Sequence, residues 1–485
     1  MNAARLLIPV LRAGREGGFG HLAGTIEQEL ARGVGGFILF GGAALEVREL
    51  TSQLHERAPH PLLVGSDLER GAGQQFRGAT PLPPLAALGS LGDLGTVRRA
   101  GELSAREARA LGVNWLFAPV ADVDLEPGNP IIGTRAFGTN PEEVARMVAA
   151  WVEGCAQGGA LSCGKHFPGH GRTVGDSHIE RPVVETDRAS LEADLTPFRA
   201  AIEAGADSFM SAHVAYPALD ASREPATLSR PILHQLLRGE MGFGGMVVTD
   251  ALIMEGFAGG LEEPAAAVRA LAAGCDVLLY PEDIPGVVAA IEGAVRSGEL
   301  SPERLRDALG RVSAAARRVS GGPGGGWGRE DDRRWALHTA VRTLRASRGE
   351  PRLPNGPVKL IEIDDDLGGP YPPYPRDAFA AALKRSGVEL SGGGAPLLAV
   401  YCDIRAWKGR PGLSPEARQR VESELARTPG APVILFAHPR LASELADARH
   451  LLAAWGGEGL MQEAAAAWLT GERGGLADAS GGLDR

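Results

Sequence analysis

Over its first 320 residues the chain alternates short apolar runs with amphipathic stretches. The runs are Leu6–Leu11, Gly35–Phe40, Pro61–Asp67, Asn114–Val120, Ala160–His166, Asp207–His213, Gly245–Asp250 and Asp276–Tyr280. Between them lie Thr25–Ala31, Arg99–Leu111, Glu142–Ala156, Ala189–Ala204, Pro231–Met241 and Ala265–Ala273, each with apolar residues at i, i+3 or i+4 and a polar remainder. Short buried runs separated by helical stretches predict parallel strands with crossover helices. Eight of them over about 300 residues fit an α/β fold, a (β/α)8 TIM-like barrel. Several runs end on a polar or ionisable residue, among them Asp67, His166, His213 and Asp250. In a barrel the C-terminal strand ends converge on one mouth, so these residues meet although they lie far apart in sequence. An open doubly wound sheet is the runner-up, but it does not bring strands three, five, six and seven together so readily.

The stretch Ser320-Gly-Gly-Pro-Gly-Gly-Gly-Trp327-Gly is too rich in glycine to pack and predicts a linker. A helix-like segment, Arg333–Arg345, follows, and strand signals return at Val358–Ile363, Leu397–Cys402, Val433–Ala437 and Leu451–Trp455. The expected organisation is a catalytic barrel over 1–320, a Gly-rich linker and connecting segment over 321–338, and a smaller C-terminal α/β sandwich domain over 339–485. That second domain offers no catalytic constellation. Its Asp364-Asp365-Asp366 run reads as a solvated loop rather than a cation site, and Gly471 to Arg485 as a polar, fraying end.

A net charge of −10 argues against nucleic acid and anionic membranes as partners. No run approaches the roughly 18 apolar residues that span a bilayer, and the first ten residues lack the apolar core of a signal peptide. Cys155, Cys163, Cys275 and Cys402 are scattered and read as small buried hydrophobes in a reducing compartment. A cytoplasmic protein is the simplest expectation, with no cofactor. The sequence leaves the oligomeric state open, a monomer included.

The fifth run leads into Lys165-His166-Phe167-Pro168-Gly169-His170-Gly171-Arg172-Thr173-Val174-Gly175-Asp176-Ser177-His178. Three of the chain's 11 histidines fall here. Lys165 is one of only four lysines in a chain of 50 basic residues, which points to a need for a compact charge. Zinc is one reading of the histidines, but they sit on a Gly/Pro loop without the His-Glu-x-x-His spacing that puts two rings on one helical face. A phosphate cradle needs its glycines before the lysine, and here the lysine comes first. Asp250 closes the apolar Gly245–Thr249 run, an expensive place for a charge unless it is used or paired. On the residues alone, a helix N-cap for Leu252-Ile253-Met254 explains it equally well.

Lys-His-Phe-Pro-Gly-His-Gly followed by Asp-Ser-His resembles the signature of family 3 glycoside hydrolases, specifically the β-N-acetylglucosaminidase branch. Val247-Val248-Thr249-Asp250 resembles the family's nucleophile motif, with Ala251 where some members carry a second Asp. The resemblance extends to Asn114–Asp124, to Ile131–Gly138 and to Ser211–Pro217. It implies Asp250 as nucleophile, His178 as acid/base and Asp176 as the carboxylate orienting it. The polar strand ends Asp67, Lys165 and His166, with Arg135, are implied to bind sugar. Asp122 and Asp124 read as loop anchors. One departure concerns the stretch after Asp67, where the family reads Asp-x-Glu-Gly-Gly-x-x-Gln-Arg and this chain has Gln75 in place of the arginine, with Arg70 or Arg77 as substitutes.

The resulting expectation is a metal-independent, retaining exo-β-N-acetylglucosaminidase acting on small GlcNAc-containing carbohydrates from cell-wall peptidoglycan. Rival readings are a phosphorylase, which an imidazole favours because it repels phosphate less than a carboxylate does, a β-glucosidase, and a sugar-binding pseudoenzyme. The last is disfavoured by the presence of both Asp250 and His178.

Overall fold

The computed structural model describes residues 2–14, 17–258, 261–366 and 373–471. They form two compact units, one drawn from the described residues of 2–80, 93–126 and 136–329, the other from those of 81–92, 127–135 and 330–471.

The first unit is a closed ring of parallel strands. Strands β2 (Val10–Arg12), β3 (Gly36–Phe40), β4 (Leu63–Ser66), β5 (Trp115–Leu116), β6 (Leu161–Phe167), β7 (Ser208–Ser211) and β8 (Met246–Thr249) pair in sequence order. A short β1 (Leu7–Ile8) pairs with β9 (Leu278–Leu279), and a bridge between Val248 and Val277 joins β9 to β8. The expected first strand, Leu6–Leu11, is therefore split at Pro9. Proline has no N–H to give to a ladder, so β1 faces β9 and β2 faces β3 on either side of it. That closure rules out the open sheet. Inside the ring, the Trp115 indole donates to the Ser208 hydroxyl at 2.8 Å, from β5 to β7 past the strand between them. A Cβ on Gly36 would lie 1.7 Å from the Leu63 carbonyl oxygen, so only glycine lets β3 and β4 approach as they do.

Helices cover the ring and begin where the sequence caps them. Asn140 accepts from the Glu143 N–H ahead of Pro141–Gln157, and Asp187 from the Ser190 N–H ahead of Arg188–Glu203. Phe198 of the latter helix packs edge-on against Phe167 of β6 at 5.3 Å and contacts Phe209 of β7 at 5.5 Å. At the N-terminal rim, buried Asp276 is clamped by Arg238 and Arg304, each at 2.6 Å. Charge on this rim is structural.

The second unit is an α/β sandwich whose five-stranded sheet runs β10 (Arg345–Arg348), β14 (His450–Ala453), β13 (Pro432–Ala437), β12 (Ala395–Cys402), β11 (Val358–Asp364). All pairs are parallel except β10 with β14. Alternation along β12 sends Leu398, Val400 and Cys402 to one face, with Val421 and Leu425 of helix Pro415–Arg427. Tyr401 points to the other face and stacks on Phe436 at 4.6 Å, where Phe379 of helix Asp377–Arg385 also packs.

Helix Glu330–Thr343 runs across the expected boundary at residue 338 and stops before the segment read as helical does; Arg345 already belongs to edge strand β10. The Gly-rich stretch is tied to the first unit, with the Gly328 N–H donating to Glu107 at 2.7 Å. The expected fraying end, from residue 472 on, lies outside the described residues. The solvated-loop reading of Asp364-Asp365-Asp366 is wrong. Asp365 and Asp366 are buried, and Arg376, Lys408 and Arg410 pair with the run, because the loops after β11 and β12 fold basic residues over it. Among the described residues, no helix is long and apolar enough to cross a membrane.

Candidate active site

The ends of β4, β6, β7 and β8, with the loop after β6, assemble the ionisable groups of the first unit. Asp250 follows β8 and is half-buried. Its N–H donates to the Ser211 carbonyl at 3.3 Å, and its Oδ1 accepts the N–H of Ala251 at 2.8 Å. The chain then turns, and helix begins only at Glu255, so Asp250 is not the cap of a helix at 252–254. Burial acts against its charge, but the imidazoles of His166, His213 and His178 and the Ala251 N–H outweigh it and pull the carboxyl down to about 2. Asp250 is a carboxylate at any ordinary pH.

The histidines around it are each held differently. His178 Nδ1 lies 2.7 Å from Asp176 Oδ1, the same oxygen that accepts the His178 N–H at 2.9 Å. Asp176 is buried, while the His178 side chain keeps 19% of its surface exposed. A carboxylate only accepts, so Nδ1 carries the proton that faces it. His166 repeats the arrangement, its Nδ1 2.8 Å from Asp122 Oδ2. Asp122 is fully buried; His166 and His170 hold its carboxyl below the ordinary range against the opposing effect of burial. Its Oδ1 takes the backbone N–H groups of His166 and His170, at 3.1 and 2.6 Å. It therefore orients a side chain as well as anchoring the loop, the role the sequence suggested.

His213, buried after β7, donates from Nε2 to the Ala251 carbonyl at 3.2 Å, leaving Nδ1 to accept from the Thr227 hydroxyl at 2.8 Å. Burial lowers its pKa to about 4, so it is a neutral brace. His170, with Thr173 at 2.8 Å and Ser177 at 3.0 Å, is likewise lowered to about 4 by burial and pins the loop that carries the dyad. Each histidine of the loop thus has its own oxygen partner. Among the described residues, no three His, Cys, Asp or Glu side chains are grouped as a metal ion requires.

Lys165, almost fully buried, reaches Asp67 Oδ1 at 2.7 Å and Glu69 Oε1 at 2.8 Å. The ammonium expected to donate to sugar hydroxyls thus fixes the carboxylate at the end of β4, two strands away, a pairing across 98 residues that local pattern cannot reveal. Glu69 escaped the sequence reading for the same reason; the Asp-x-Glu spacing after β4 was the available signal. Gln75 accepts the Gly41 N–H at 3.4 Å, while Arg70 is half-buried and Arg77 exposed. The structure brings Asp67, Lys165, His166, Asp176, His178 and Asp250 into one unit. Arg135 belongs to the other, in the turn Gly133–Arg135, where its guanidinium donates to the Ile131 carbonyl at 2.9 Å.

Comparison with known proteins gives a consistent picture. The family model of the glycosyl hydrolase family 3 N terminal domain matches residues 24–315. A β-hexosaminidase of Tolumonas auensis is 41% identical over 277 residues, covering 55% of this chain and 82% of that protein. A β-N-acetylglucosaminidase/β-glucosidase of Cellulomonas fimi is 37% identical over 297 residues, 59% of this chain but only 53% of the relative, so the chain spans about half of its length. The solved structure of a family 3 β-N-acetylglucosaminidase from Paenibacillus sp. str. FPU-7 superposes with a TM-score of 0.85 at 28% identity, over 97% of this chain and 96% of that one.

Proposed function

The chain belongs to glycosyl hydrolase family 3, and on that premise we propose that it is a retaining exo-β-N-acetylglucosaminidase with Asp250 as nucleophile and His178 as acid/base. The observation that carries this reading is the asymmetry between the two groups. Asp250 is held ionised beside three imidazoles, and His178 is fixed in one tautomer by a buried carboxylate.

Retention needs a nucleophile on one face of the anomeric carbon and a proton donor on the other. Ionised Asp250 attacks C1 and forms a glycosyl ester as the bond to the leaving oxygen breaks. Protonated at both nitrogens, His178 gives its Nε2 proton to that oxygen, then takes a proton from the water that hydrolyses the ester. Asp176 keeps Nδ1 protonated and stabilises the imidazolium in each half-cycle. Asp67, fixed by Lys165, accepts from sugar hydroxyls, and His166, fixed by Asp122, contributes a further polar contact. Arg135 is assigned to sugar binding by resemblance alone.

GlcNAc-terminated fragments of cell-wall peptidoglycan are the proposed substrates and the cytoplasm the proposed location; the named relatives support the sugar, and the Asp-Ser-His loop supports the branch. Phosphate is the alternative acceptor, because a dyad whose proton carrier is an imidazole repels it less than a carboxylate does. Aryl β-GlcNAc and aryl β-glucoside, each assayed with and without phosphate while NMR follows the first-formed anomer, test the proposal. The expected result is preference for GlcNAc, β-configured product and no phosphate dependence. Formation of a sugar phosphate converts the reading to a phosphorylase, and an α-configured free sugar overturns retention.

A further inference from the structure

Gly256 lies in the short helix Glu255–Ala258, just past Asp250. Its N–H donates to the Ser177 carbonyl at 3.2 Å. A Cβ on Gly256 would sit 2.9 Å from the His213 carbonyl oxygen, 3.0 Å from that of Ser177 and 3.2 Å from that of Glu180. Carbonyls from the loops after β6 and β7 thus converge on one Cα of the loop after β8, and two of them flank His178 in sequence.

We propose that Gly256 is a positioning residue that latches the loop bearing His178 to the loop bearing Asp250, and so sets the reach of the proton donor over the nucleophile. The inference rests on the roles assigned above to those two residues. A side chain at 256 must displace the His213, Ser177 and Glu180 carbonyls or itself. His213 is pinned at both ring nitrogens, to Ala251 and Thr227, and the loop after β6 has little freedom to absorb the shift elsewhere. Ser177 Oγ is held by His170 at 3.0 Å, and the Val184 N–H is held by the Ala215 carbonyl at 2.9 Å. The displacement therefore passes to His178. Asp250 is held by backbone bonds of its own, to the Ser211 carbonyl and from the Ala251 N–H, and the His213 ring beside it is fixed at both nitrogens. Adding one methyl group should impair proton donation and spare nucleophilic attack.

The experiment compares Gly256→Ala, His178→Ala and the double variant on a GlcNAc disaccharide and on nitrophenyl β-GlcNAc. A sugar leaving group needs the proton and a nitrophenolate hardly does. His178→Ala should lose far more on the disaccharide. Gly256→Ala should follow it more mildly, losing about 10- to 100-fold on the disaccharide and only a few-fold on the aryl substrate, an effect of the size expected from a small misplacement. In the His178→Ala background it should add almost nothing to the selective loss. Ser177→Ala, which removes the hydroxyl held by His170, loosens the same loop from its other side; it should show the same selectivity, and it decides the matter if Gly256→Ala does not fold. Equal losses on both substrates, or losses that multiply with those of His178→Ala, overturn the latch while the acid/base role stands. If His178→Ala itself shows no dependence on the leaving group, the acid/base role falls and the latch falls with it.

Discussion

Both units carry carboxylates at the C-terminal ends of parallel strands, and the surroundings of Asp250 in the first differ from those of the cluster after β11 in the second. At the end of β11, Asp364 and Asp366 meet Arg376 at 3.1 and 2.6 Å, and Asp366 also meets Lys408 at 2.7 Å. Asp365 takes Arg410 at 2.7 Å and the Ser414 hydroxyl at 2.6 Å. Asp403, after β12, leans on the same Arg376 at 3.1 Å; burial and the neighbouring Asp366 push its carboxyl up to about 7. Permanent cations close that cluster. At the end of β8, the groups that hold Asp250 ionised against its burial are led by three imidazoles, with the Ala251 N–H beside them. Imidazoles can change charge during a reaction, whereas a guanidinium cannot. A carboxylate at a strand end is therefore not by itself a site. Its partners have to be read with it: Lys165 fixes Asp67, Arg376 and Lys408 close the cluster after β11, and imidazoles surround Asp250.

Removing Asp250 tests the first half of that contrast. Asp250→Ala should lower turnover by about three to five powers of ten, with an unchanged far-UV circular dichroism spectrum. A fall of less than tenfold would mean that another group does the chemistry.

The second half predicts the reverse in the other unit. Arg376→Ala leaves Asp364, Asp366 and Asp403 without their shared cation and should cost about 3–5 kcal/mol of stability, read from denaturant unfolding. Turnover per folded molecule should change little. Unaltered stability with lost turnover would make this cluster functional and erase the distinction.

A smaller effect concerns the neutral brace. Unfolded, a histidine titrates near its ordinary 6.5, whereas folded His213 resists protonation until about 4. Between those values the unfolded chain binds the extra proton, so His213 makes stability fall as pH drops from about 6.5 towards 4. His213→Asn, whose amide retains a donor and an acceptor, should make that loss shallower by about 1–3 kcal/mol. An identical pH slope in the variant would show that His213 is already charged when folded.

The sequence made the strand ends legible because each is a local pattern, an apolar run closed by one polar residue. Asp67, His166, His213 and Asp250 could be placed from that alone. The Asp176–His178 pair was legible through the resemblance of Asp-Ser-His to the family signature, which a short local motif can carry. Partners joined only by the fold were not: Glu69 to Lys165, Asp122 to His166 and His170, and Gly256 to the Ser177 carbonyl. The Asp364–Asp366 run misled because three adjacent carboxylates resemble solvated surface until Arg376 and Lys408 fold back over them. Nor did local pattern reveal that Pro81–Gly92 and Pro127–Arg135, which interrupt the first unit in sequence, belong to the second.

As the proposed nucleophile, Asp250 takes the glycosyl group. A 2-fluoro sugar with a good leaving group forms the glycosyl ester quickly and releases it slowly, so the labelled residue can be mapped by proteolysis and mass spectrometry. One label per chain, on Asp250, and none in Asp250→Ala is the expected result. A label on Asp67, Asp122 or Asp176, or rapid turnover of the reagent with an inverted product and no label, would contradict it.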